Sequence, residues 1–127
     1  MKTPLATVLA AALLAPAAAL ACGACVEDKI AATYDYAVVT KATQHGKVVV
    51  FAETRSGADP AKVERALRAA AAKAPGVEPA SVRASQSPAA LSFVLDPHGN
   101  DPQRTLASIQ GASHVAGLEL VLLKVIR

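Results

Sequence analysis

The run Lys47-Val48-Val49-Val50-Phe51-Ala52-Glu53 constrains this chain most, because it is a continuous β-favouring stretch bounded by Gly46 and Gly57. Side chains alternate between the two sides of a strand, so an unbroken apolar run has to be covered on both faces. The rest of the chain must therefore supply two covering layers. An apolar fraction of 53% comes with only two Tyr, two Phe and no Trp, which makes the expected core aliphatic.

Downstream, Asp59-Pro60 pairs an N-cap with proline at the first helical position, and Val63, Ala66, Leu67, Ala70 and Ala74 form an apolar stripe that Pro75-Gly76 terminates. Val77 to Ser85 reads as a weaker strand, which Pro79 confines to an edge or a strand start. Ser87-Pro88 turns the chain into a strand from Ala90 to Leu95. Asn100 or Asp101 then caps a helix beginning at Pro102, with Leu106, Ile109 and Ala112 or Ser113 on its buried face. Gly117 ends that segment, and Leu118 to Ile126 is a strongly apolar final strand. It carries Leu118, Leu120 and Leu122 on one face and Val121, Leu123 and Val125 on the other.

From residue 46 onward the order is strand, helix, strand, strand, helix, strand. Two split βαβ units of this kind predict an α+β fold, a ferredoxin-like βαββαβ sandwich with one antiparallel sheet and both helices on one face. The other face needs a cover. Val26, Ile30, Tyr34 and Ala37 or Val38 recur at helical steps, which predicts an additional N-terminal helix over 26–43, with Asp35 at a solvated position. That helix is the expected cover, and a homodimer through the open sheet face is the rival.

Upstream, residues 1–21 read as a secretory signal peptide. Lys2 supplies the basic start, Leu5 to Leu20 the apolar core and Ala19-Leu20-Ala21 the cleavage signature. The expected organisation is leader 1–21, a CGAC motif with the N-terminal helix over 22–45, and the ferredoxin-like domain over 46–127. The expected destination is the periplasm or cell envelope. With 13 basic and 10 acidic residues scattered along the chain, and no Lys/Arg stripe with interleaved aromatics, nucleic-acid binding has no support.

The order of elements, with Val63-Glu64-Arg65-Ala66-Leu67, Gly76-Val77 and Leu95-Asp96-Pro97, resembles the heavy-metal-associated (HMA) domain of copper chaperones, metal-pumping ATPases and periplasmic mercury carriers. The resemblance spans about residues 47–126 and implies the ferredoxin-like fold. The family's metal-binding CxxC precedes the first helix, and its two positions fall here at Ser56 and Asp59. Neither a hydroxyl nor a capping carboxylate replaces a thiolate for a soft ion.

The chain's only cysteines lie instead in Cys22-Gly23-Ala24-Cys25. Two thiols at a helix start can face one ion, and a two-coordinate dithiolate suits Cu(I) or another soft transition metal. A helix of 18 residues, about 27 Å long, running antiparallel to the first strand would bring CGAC to the sheet end that carries Ser56 to Asp59 and His114. His114 is then the candidate further ligand, while His45 and His98 fall at the opposite end. Three readings of CGAC stay open: a metal site working with a donor or acceptor protein, a Cys22–Cys25 disulfide or redox pair, and acylation of Cys22 as a lipid anchor. No spacing supports a catalytic set, so the expected protein is not an enzyme.

Overall fold

The computed structural model describes residues 25–127. The leader 1–21 and Cys22 lie outside the described residues. The element order is α1 (Val26–Ala31), α2 (Tyr36–Gln44), β1 (Val48–Arg55), α3 (Pro60–Lys73), β2 (Arg83–Gln86), β3 (Ala89–Leu95), α4 (Pro102–Ala112) and β4 (Glu119–Ile126). The strands form one sheet in the order β2-β3-β1-β4, with every neighbouring pair antiparallel. The fold is α+β and compatible with a ferredoxin-like arrangement.

β1 is the inner strand that its apolar run calls for, with Val48 to Ala52 all buried. Val48, Val50 and Ala52 share a core with Val63, Leu67 and Ala71 of α3, Phe93 and Leu95 of β3, and Leu106 and Ile109 of α4. Removing one such fully buried Leu, Ile or Phe from water contributes about 1.5–3 kcal/mol. The alternate residues Val49 and Phe51, with Val94, join Val39 and Ala42 of α2 in a second cluster, and Ile30 of α1 packs against it. Both faces of β1 are thus covered.

Helices α3 and α4 begin as their sequences dictate. Asp59 accepts a hydrogen bond from Lys62 N at 3.3 Å and Asp101 accepts one from Arg104 N at 3.0 Å, each followed by proline at the first helical position. On α4 Leu106 and Ile109 are buried as expected, Thr105 joins them, Ala112 is exposed and Ser113 is half-buried.

The single helix expected over 26–43 is two helices. Asp35 is not a solvated mid-helix residue: its carboxylate accepts from Val38 N at 3.1 Å and caps α2. Two tertiary contacts fix the break ahead of it. Ser92 Oγ donates to Thr33 O at 3.2 Å, and the Tyr34 ring stacks on Phe51 with centroids 6.2 Å apart. α2 packs on Val49 and Val94, while α1 reaches the other end of β1 through a Lys29–Glu53 ion pair of 2.8 Å.

The weak strand expected over Val77 to Ser85 is shorter. Val77 makes one isolated bridge to Leu95, a 3-10 turn occupies Pro79–Ser81, and β2 begins only at Arg83. Ser81 explains the turn, donating to Glu78 O at 2.6 Å and accepting from Val94 N at 2.8 Å. Strand β4 also departs from simple alternation. Its register against β1 shifts between Phe51 and Ala52, which pair with Lys124 and Leu122 and leave Leu123 as the extra residue of a bulge. The bulge moves Val125 onto the face of Leu120 and Leu122, where all three pack with the larger core, and sends Ile126 to the smaller cluster.

Candidate functional site

Cys25 is the residue at which the described chain meets the expected thiol chemistry. It caps α1 in extended conformation, with φ −68° and ψ 169°, and is exposed. Its Sγ–H donates to Asp28 Oδ2 at 3.1 Å. That hydrogen bond pushes the thiol pKa up, because ionising the sulfur forfeits the bond and sets two negative charges side by side. The acidic first turn, Glu27 and Asp28, suits the helix dipole, while Asp28 disfavours thiolate. Cys22, the motif's other thiol, lies outside the described residues.

Glu53 fixes how α1 sits. Lys29 holds its carboxyl below the usual carboxylate range, with Arg55 adding a contact at 3.3 Å. The polar end of α1 is thereby tied to the strand end that leads into Ser56.

The two positions at which the resemblance would put metal ligands serve local structure instead. Ser56 Oγ accepts from Ala58 N at 3.1 Å, and Asp59 caps α3. His114 is exposed and follows α4 in left-handed conformation with φ 54°. His45 and His98 are exposed, and their rings bond locally, to Lys41 O at 2.7 Å and Asp96 Oδ1 at 2.8 Å. Among the described residues no group of three or more His, Cys, Asp or Glu side chains converges as a metal site. Among them, too, no helix is long and apolar enough to cross a membrane.

Sequence reasoning passed over Thr54. It follows the apolar run of β1 as the first small polar residue and is buried, yet among the described residues its hydroxyl finds no partner. It lines a cavity of about 200 Å³ beside the Ser56 loop, together with Val63 and Leu67 of α3 and Ala84 of β2. A polar residue on the inward side of an otherwise apolar strand was the available signal.

No family model matches this chain, and neither the curated proteins nor the solved structures contain a match.

Proposed function

We propose that the chain is an exported, non-enzymatic protein with a ferredoxin-like, HMA-like domain, which holds a soft metal ion of the Cu(I) type through Cys22 and Cys25. The observation that carries this reading is the position of Cys25: an exposed thiol at the start of a helix whose Lys29 is ion-paired to the sheet. A dithiolate so presented suits a two-coordinate soft ion and leaves it open to transfer to a partner protein. Asp28 works against the thiolate, so the metal must displace a proton and binding strengthens as pH rises. The ferredoxin-like reading is supported by the strand order β2-β3-β1-β4, with α3 and α4 in one core on one sheet face. An N-terminal cover for the second face is supported by the cluster of Val39, Ala42, Val49 and Phe51.

Anaerobic titration of the reduced protein with Cu(I), in competition with a chromogenic chelator, tests the proposal. One tightly held ion per chain is expected, lost when Cys22→Ser and Cys25→Ser are combined. Equal affinity in the double variant sinks the reading.

A second reading has its own observation. Val26, Tyr34 and Tyr36 are 45%, 44% and 74% exposed on the N-terminal layer, large side chains that a partner or a second copy would cover. On that reading the chain is an envelope interaction module, acylated at Cys22, with no metal chemistry. Intact mass of the native protein separates the two, since a diacyl or triacyl addition at Cys22 removes its thiol from metal binding. The redox reading needs a reversible Cys22–Cys25 disulfide, and Asp28 disfavours the Cys25 thiolate that it and metal binding both require.

A further inference from the structure

The cavity beside Thr54 lies on the α3 side of the sheet, opposite the layer that carries Cys25, so what it does is independent of the CGAC motif. Its floor is aliphatic, built from Val63, Leu67, Ala84 and Ala89. Thr54 lines it at 8% exposure, with a hydroxyl oxygen that is buried and unpaired. A buried hydroxyl without a partner is costly, and valine has nearly the same shape without that cost. A turn about χ1 to another staggered well moves the hydroxyl and methyl together, so the oxygen can change the side it faces with no backbone movement.

The polar rim argues for an uncharged guest. Glu64 is the charged residue on the lining, and its carboxylate is already held by Arg68 at 2.9 Å and Gln86 at 2.6 Å. Those two contacts keep it ionised, the Gln86 bond foremost, while Arg68 neutralises its charge. An ammonium or carboxylate guest would enter with no free counter-charge beside it. Ser56 Oγ accepts from Ala58 N, which leaves its own proton to donate. A volume of about 200 Å³ is on the order of seven times a water molecule's share of the liquid, which accommodates a guest of about six to eight heavy atoms.

We propose that this cavity binds a small neutral molecule with a short aliphatic body and a single hydroxyl or amide head, the head hydrogen-bonded to Thr54. The body lies on Val63 and Leu67, and Ser56 on the lining supplies a second donor.

The test uses the ¹⁵N-labelled protein and three probes that share a tail and differ in their heads: 3-methylbutan-1-ol, 3-methylbutanoate and 3-methylbutylamine. The alcohol should give saturable amide shifts centred on Thr54, Ser56, Ala58, Ser85 and Gln86, and each charged analogue should bind about tenfold or more weakly. Thr54→Val should weaken the alcohol about tenfold while leaving the melting temperature unchanged or raised, because the unpaired hydroxyl is gone. Ala84→Val, which narrows the cavity, should weaken it as well. Shifts that stay linear to the solubility limit, shifts centred elsewhere, equal binding by a charged analogue, or full affinity in either variant would each overturn the proposal.

Discussion

Lys29 Nζ lies 2.8 Å from Glu53 Oε1, with the two side chains 20% and 16% exposed, and this pair joins the first described helix to the central strand. Because it is partly exposed, its net contribution is modest, and Lys29→Met should cost about 0.5–1 kcal/mol. The effect should be local. Amide exchange in α1 should quicken severalfold, whereas exchange in β1 and β3 should hold; equal acceleration throughout would contradict a local tether.

The same pair predicts a pH dependence. Glu53 titrates below its ordinary range in the folded chain, chiefly because of the Lys29 hydrogen bond. Its stabilisation is therefore complete above the unfolded carboxylate range and is lost as pH falls through the folded value. Protection of α1 should fade on acidification, and Glu53→Gln should abolish that dependence. A pH-independent α1 in the parent protein would refute the assignment.

Asp28 restrains the Cys25 thiol, so Asp28→Asn should speed its alkylation by iodoacetamide about threefold at pH 8. Measured in a Cys22→Ser background, the rate reports one thiol. An unchanged or slower rate would show that Asp28 does not hold the sulfur.

Gly76 adopts φ +79°, and a Cβ there would collide with the side-chain amide of Asn100. Asn100 cannot simply withdraw, since its Nδ2 donates to Asp96 O at 3.0 Å, and Asp96 N in turn donates to Gly76 O at 2.9 Å. Gly76→Ala should destabilise by about 2 kcal/mol or more, read by chemical denaturation. A loss below about 0.5 kcal/mol would mean that the turn relaxes freely.

The outer edge of β4 is guarded by Gln110, whose Oε1 accepts from Leu120 N at 2.9 Å, and by the exposed charge of Lys124. Gln110→Ala together with Lys124→Val should promote concentration-dependent association, seen by sedimentation velocity. A strictly monomeric double variant at the concentrations where the parent is monomeric would show that the edge is blocked by other means.

What the sequence discloses depends on the range of the interactions behind it. The starts of α3 and α4 are legible because Asp59-Pro60 and Asp101-Pro102 act within a few residues. The break between α1 and α2 is not, since Tyr34 and Asp35 preserve a helical apolar period. Their roles depend on Phe51 and on Ser92, the latter bonded to a carbonyl 59 residues earlier. The bulge in β4 is equally hidden, because Leu120 to Leu123 are all apolar and no polar residue marks which face each takes. At the candidate site, Cys25 and its acidic neighbours were readable, but the bond to Asp28 and the unpaired hydroxyl of Thr54 emerge only from packing.

The inequality of the two apolar clusters gives the molecule an order of disassembly. The smaller one rests on Val39, Ala42, Val49, Phe51 and Val94, and α1 contributes no buried residue to it. Mild heat should therefore peel away the segment ahead of β1 while the larger core still holds the sheet together. The species left behind would present Val49 and Phe51 to solvent, so the protein should turn adhesive and lose solubility before it loses its strands.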